Sequence, residues 1–152
     1  MTEKERLTSL FEKLYDGEPW IDVNISSTLK SITAEQASKR VLSNCNSIWE
    51  ITNHLINWRL NILQRMEGKT IKTPSNNYFE EIEIKSNQAW FNTLNQLEIA
   101  QKRWLEFLKL VRIKDFEKKY PVNNMTYYEH IQGIIQHDAY HLGQIVLLSK
   151  LV

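Results

Sequence analysis

Apolar residues along this chain recur at the spacing of helices, not of strands. Leu7, Leu10, Phe11 and Leu14 form one stripe, which predicts a first helix over about 4–16 closed by Gly17. From 18 to 32 the pattern is lost to Pro19 and the polar Asn24, Ser26, Ser27 and Thr28, and an irregular connection is expected. Thr33-Ala34-Glu35-Gln36 has capping-box form and predicts a short helical turn. That turn is expected to feed a long helix over about 41–67, with Ile48, Ile51, Leu55, Trp58 and Ile62 inward and Gly68 at its end. A polar loop at 69–79 surrounds Pro74 and two asparagines. Trp90, Leu94, Leu97, Trp104, Leu105 and Leu108 predict a helix over about 86–112. Residues 115–124 carry Pro121 and read as a connection. Thr126-Tyr127-Tyr128-Glu129 is a second capping box, opening a last helix that runs to about 150.

Four long helices predict an all-α chain, a four-helix bundle spanning 1–152 as one domain. The connections, roughly 10–20 residues each, exceed what an up-down bundle needs, so either crossovers are present or the loops shape a site. Only 4 Gly and 3 Pro disfavour a turn-rich β architecture. Net charge is +1, and the tryptophans are not set in Lys/Arg-rich patches, so no nucleic-acid partner is expected. One Cys excludes an intramolecular disulfide and a Cys-rich zinc motif. The opening MTEKERLTSLFEKL is charged from its third residue, unlike a signal peptide. No window approaches ~18 uncharged apolar residues, so no membrane partner is expected. The expectation is a cytoplasmic protein.

The chemistry concentrates in histidine. Of His54, His130, His137 and His141, three lie on the last predicted helix. His141 is rotated about 40° from His137, and His130 about 20° in the same direction, so all three share one face. His137 and His141 stand at i,i+4, the spacing at which two imidazoles on one helix can grip one metal ion. Their face also carries Ile134, Ile145 and Leu148 and therefore points inward, where imidazoles need polar partners. His54 lies beside the apolar stripe of the second long helix and could meet the pair across the bundle. Three histidines would leave a fourth position open, as in catalytic zinc sites, where a bound water is activated near neutral pH and a thiol is deprotonated. Hydrogen-bonded packing is the alternative role for each ring.

The segment Gly133-Ile-Ile-Gln-His137-Asp-Ala-Tyr-His141-Leu-Gly-Gln144-Ile resembles the C-terminal helix signature of the DinB-like (YfiT-like) superfamily. Asn53-His54-Leu55-Ile56-Asn57-Trp58-Arg59 resembles its second-helix motif. The resemblance implies a four-helix bundle and, commonly, a homodimer. It also implies one divalent metal per chain held by His54, His137 and His141, with zinc the first expectation and nickel, iron or manganese the alternatives. Activity varies across that family. Some members are thiol-dependent S-transferases or isomerases using glutathione, mycothiol or bacillithiol, and others are described as metal-dependent hydrolases. The leading expectation is an S-transferase that joins a low-molecular-weight thiol to a small electrophilic substrate. The alternatives are a metal-dependent hydrolase and a non-catalytic metal- or ligand-binding dimer. Some members carry an extra His where this chain has Gly133.

Two further residues are candidates for catalysis. Glu50, at i−4 from His54, could act as a general base, orient an imidazole, or simply cap its helix. Tyr140, beside the His pair, could donate to substrate or serve packing. His130 is about 10 Å along the axis from His137, too far to share its metal, and reads as a pocket-mouth or helix-end group. Asp138 is expected outside the ligand set or at the surface, and Gln144 in a structural hydrogen bond. Trp58 could wall the pocket. On a helix running from 41, Cys45 would point about 180° away from His54 as a buried, inert thiol.

Overall fold

The computed structural model describes residues 1–152 and contains no strand. Its helices are α1 (Glu3–Asp16), α2 (Ile25–Lys30), α3 (Ala34–Ser38), α4 (Ile48–Met66), α5 (Asn87–Leu110) and α6 (Tyr127–Ser149). A 3-10 turn occupies Ile113–Glu117. Side-chain caps start the helices: Thr2, Thr33, Ser47 and Thr126 each close a capping box, and Asn24 and Ser86 each accept one backbone N–H.

Two expectations are corrected. Residues 25–30 form a helix where an irregular stretch was expected, because the Asn24 side chain caps it and Ile25 and Leu29 are buried on one side. The second long helix starts at Ile48, not near 41, because the Ser47 side chain accepts the Glu50 N–H and ends extended backbone there.

The core falls into two apolar clusters. One gathers Leu14, Ile25, Leu29, Ile51, Leu55, Trp90, Leu97, Leu142 and Ile145, and the other Leu7, Phe11, Ile62, Trp104, Leu108, Ile131 and Ile134. The order in which each helix meets the clusters gives its direction. α4 and α5 pass from the first to the second, and α1 and α6 from the second to the first. Consecutive α4 and α5 are therefore parallel, and the segment 67–86 must return along the length of α4. At 1.5 Å per residue the 19 residues of α4 span about 28 Å, within reach of that segment. The long loop is thus a crossover, and its return path carries it over His54.

Between the clusters lies a polar layer. Arg59 of α4, Gln101 of α5 and Asp138 of α6 are all buried at the level where each helix changes cluster. Arg59 Nη2 donates to Asp138 Oδ2 at 2.5 Å, and its Nη1 donates to Gln101 Oε1. Phe11 lies 5.5 Å from the guanidinium. No helix is long and apolar enough to cross a membrane.

Candidate metal centre

His54 from α4 and His137 and His141 from α6 converge, each offering a ring nitrogen within 4.8 Å of the others. The α6 pair reaches inward because one helical turn separates it, with ring centroids 4.5 Å apart. His54 completes the group from across the α4–α6 interface, with Nε2 2.8 Å from His137 Nε2.

Neighbours decide which nitrogen faces inward. His54 Nδ1 donates to the Asn77 carbonyl oxygen at 2.6 Å, an acceptor with no proton to give. His141 Nδ1 donates to Gln144 Oε1 at 2.6 Å, and Gln144 Nε2 in turn donates to the Tyr140 hydroxyl at 3.0 Å. Both rings therefore carry their proton on Nδ1 and present a bare Nε2 to the centre. The bare His54 Nε2 lies 2.8 Å from His137 Nε2, so a proton on His137 or a cation must sit between those two nitrogens. Burial, then the charges His137 and His141 would carry, push His54 down to about 4, against the opposing pull of the Asn77 hydrogen bond. Burial also lowers His141, followed by the charge of His137. His54 and His141 are thus poor homes for a proton near neutral pH. Neutral imidazoles with converging lone pairs are the donor set of a borderline metal ion, so the residues fit a divalent cation. His137 Nδ1 is buried without a partner, 3.8 Å from Asp138 Oδ1, which also lacks one.

The crossover loop builds one wall. Phe79 stacks on His54 at 3.9 Å and 9°. The Asn77 Oδ1 accepts from the Trp58 indole at 3.0 Å while its backbone oxygen holds His54. Asn77 and Tyr78 both have positive φ, 52° and 63°. Asn tolerates the left-handed region readily, and the strained Tyr78 is anchored by Asn61, which donates to its hydroxyl at 2.7 Å. Neither Asn77 nor Phe79 was a candidate from sequence. The Asn76-Asn77 pair after Pro74 was the one available signal, as a turn able to enter that backbone region.

A cleft of about 560 Å³ opens over the three rings, bordered also by Cys45, Trp58, Phe79, Tyr140 and Gln144. No Asp or Glu lines it. Tyr140 is 64% exposed, with its ring centroid 5.0 Å from that of His141. Its oxygen accepts from Gln144, which leaves the phenolic hydrogen free.

Glu50 lies apart from this cleft. As the N3 residue of its capping box it turns back, and Oε2 accepts the Ser47 N–H at 2.7 Å while Arg40 pairs with the same carboxylate. Burial raises its pKa, but Arg40 and the Ser47 bonds outweigh that and hold it below the usual range. It borders a separate polar hollow with Lys39, Arg40 and Lys85. The capping role stands, and the geometry offers no general-base role. Cys45 is also corrected. It precedes α4, so helical rotation does not apply, and it is exposed at the rim of the cleft. Asp138 is fully buried in the polar layer, not at the surface.

His130 is buried at the far end of α6. Its Nδ1 donates to the Thr126 carbonyl at 2.8 Å, and Arg65 Nη1 approaches its Nε2 at 3.4 Å. Burial lowers its pKa.

With this geometry in place, comparison with known proteins assigns the class. The family model described as the DinB superfamily matches residues 23–145, and the chain belongs to that superfamily. Among solved structures it is similar to YfiT from Bacillus subtilis, with a TM-score of 0.74 and 15% identity over 99% of this chain and 89% of that one. YfiT is described as a probable metal-dependent hydrolase with an unusual four-helix bundle topology. At that identity the likeness establishes the shared fold. No curated protein matches this chain.

Proposed function

We propose that His54, His137 and His141 hold one divalent metal ion, zinc first, and that the chain is a metal-dependent S-transferase acting on small electrophiles. The observation that carries this reading is three imidazoles facing a half-apolar cleft with no carboxylate in its lining. When bound, the metal would supply a Lewis acid that lowers the pKa of a thiol or water beside it. A thiolate attacks without a general base, whereas a water nucleophile is commonly helped by one, and this cleft provides none. Sulfur forms the new S–C bond as the carbon–leaving-group bond breaks, and the leaving group departs with the bonding pair. Tyr140, its hydroxyl oriented by Gln144, donates a hydrogen bond to the leaving group or to an activating oxygen of the electrophile. Phe79 and Trp58 hold the apolar part of the substrate and keep water from the rings. Gln144 and the Asn77 carbonyl fix two of the imidazoles before anything binds.

A second reading is a metal-dependent hydrolase, supported by the likeness to a protein so described. The two separate on substrate. Purified protein reconstituted with zinc is assayed with a chloronitroaromatic plus glutathione, cysteine or bacillithiol, and with p-nitrophenyl esters without thiol. S-transfer requires thiol-dependent turnover that falls in His141→Ala, and a sulfur-to-metal charge-transfer band when thiol meets the cobalt form. Ester turnover without thiol supports hydrolysis instead. Neither activity, with melting temperature still raised by metal, leaves a non-catalytic binding role.

A further inference from the structure

Trp58 and His137 are walls shared by two cavities. The second, about 290 Å³, lies between α4, α6 and the 123–125 turn and is bordered by Ile62, Arg65, Met125 and Ile134. The reaction proposed above does not use it.

Arg65 makes this cavity unusual. It is buried, yet unlike Arg59 it has no acidic partner. Nε donates to the Asn61 amide oxygen at 2.7 Å, and Nη1 lies 3.4 Å from His130 Nε2. His130 gives its own Nδ1 proton to Thr126, so its Nε2 offers a lone pair but no negative charge. The faces of Trp58 and Tyr120 lie 5.6 and 4.7 Å from the guanidinium carbon. Each of these partners is neutral, and Nη2, which has no protein acceptor, is left open to solvent. A buried cation is normally compensated by an anion, and aromatic faces and amides replace only part of that.

We propose that this cavity is a subsite for the carboxylate of a small organic acid, held on the Nη edge of Arg65. The long Nη1–His130 contact leaves that edge available for a bidentate carboxylate. Ile62, Ile134, Met125 and Trp58 suit an apolar body behind the charged group. One cation matches a monoanion better than a phosphate dianion. Because His137 and Trp58 border both cavities, an acid anchored at Arg65 directs its other end toward the three histidines. In naming the substrate class the proposal rests on the metal-site reading. The anion site itself stands on Arg65 alone.

The test is a binding titration followed by NMR at the Trp58 indole N–H of zinc-reconstituted protein. Phenylacetate, the isosteric neutral phenylacetamide and inorganic phosphate are the probes. Wild type is expected to prefer phenylacetate over the amide by about ten-fold or more. The preference should vanish in Arg65→Met, weaken in Arg65→Lys and persist in His54→Ala, with the zinc content of Arg65→Met equal to that of wild type. Because the His54→Ala comparison needs no intact triad, failure of the metal reading leaves this test readable. Four results overturn the proposal: no preference in wild type; preference retained in Arg65→Met; preference lost in His54→Ala, which puts the anion on the triad; or phosphate binding tighter than phenylacetate. The first and last need no variant to fold.

Discussion

Replacing Asp138 by Ala should be among the most damaging single changes in the molecule. The carboxylate has no exposed surface, and it is the only anion paired with Arg59, itself 1% exposed. Removing it strands a buried guanidinium with Gln101 and the Phe11 ring as its remaining partners. Breaking a buried pair from one side costs about 3–5 kcal/mol, a large share of a typical domain stability of roughly 5–15 kcal/mol. At a urea slope of about 2 kcal/mol per molar, the unfolding midpoint should fall by on the order of 2 M. The assay is urea denaturation followed by circular dichroism, with chelator present so that metal loading does not contribute. The double variant Arg59→Met/Asp138→Leu removes both charges and should return to within about 1–2 kcal/mol of wild type, because well-packed apolar side chains replace a buried pair at little cost. A drop under about 0.5 M urea in Asp138→Ala, or a double variant as unstable as the single, would refute a polar layer held by this pair.

Three further outcomes are expected. Metal-free protein should lose stability as pH falls from 6.5 toward 4: the unfolded chain protonates His54 near 6.5 and the folded chain not until about 4, a difference of about 3 kcal/mol at its limit. The depressed His141 and His130 act in the same direction, and equal stability at pH 7.5 and pH 5 in chelator would contradict the burial argument. Gln144→Ala removes the acceptor that fixes His141, so metal affinity by chelator competition should weaken about 10–100-fold, and an unchanged affinity would remove Gln144 from the site. Cys45 should be alkylated by iodoacetamide as fast in native protein as in urea, and protection in the native state would return it to a buried position.

Much of the bundle can be read in the sequence because its signals are local. The Thr33 and Thr126 capping boxes and the closing Gly17 all fall where pattern and chemistry agree. The start of α4 is harder to read because Val41 and Leu42 prolong the apolar run, although Ser47-x-x-Glu50 is a capping box of the same kind and marks the true start. A start near 41 carries Cys45 onto the wrong side and Glu50 toward the histidines. The i,i+4 spacing of His137 and His141 foretold two of the three clustered rings, the place of His54 beside an apolar stripe offered the third, and the family resemblance joined them into one set. What fixes the rings was not legible. Asn77 and Phe79 reach His54 only because two parallel helices force the connecting loop to return over it. Arg59 and Asp138 meet from 79 positions apart, and no local pattern pairs them.

The most direct test of the central claim is elemental analysis of the purified, tag-free protein beside His54→Ala and His141→Ala. About one divalent metal per chain in wild type, lost in both variants, is the predicted result. No metal in any of the three, even after reconstitution with zinc, nickel, iron and manganese, would contradict it.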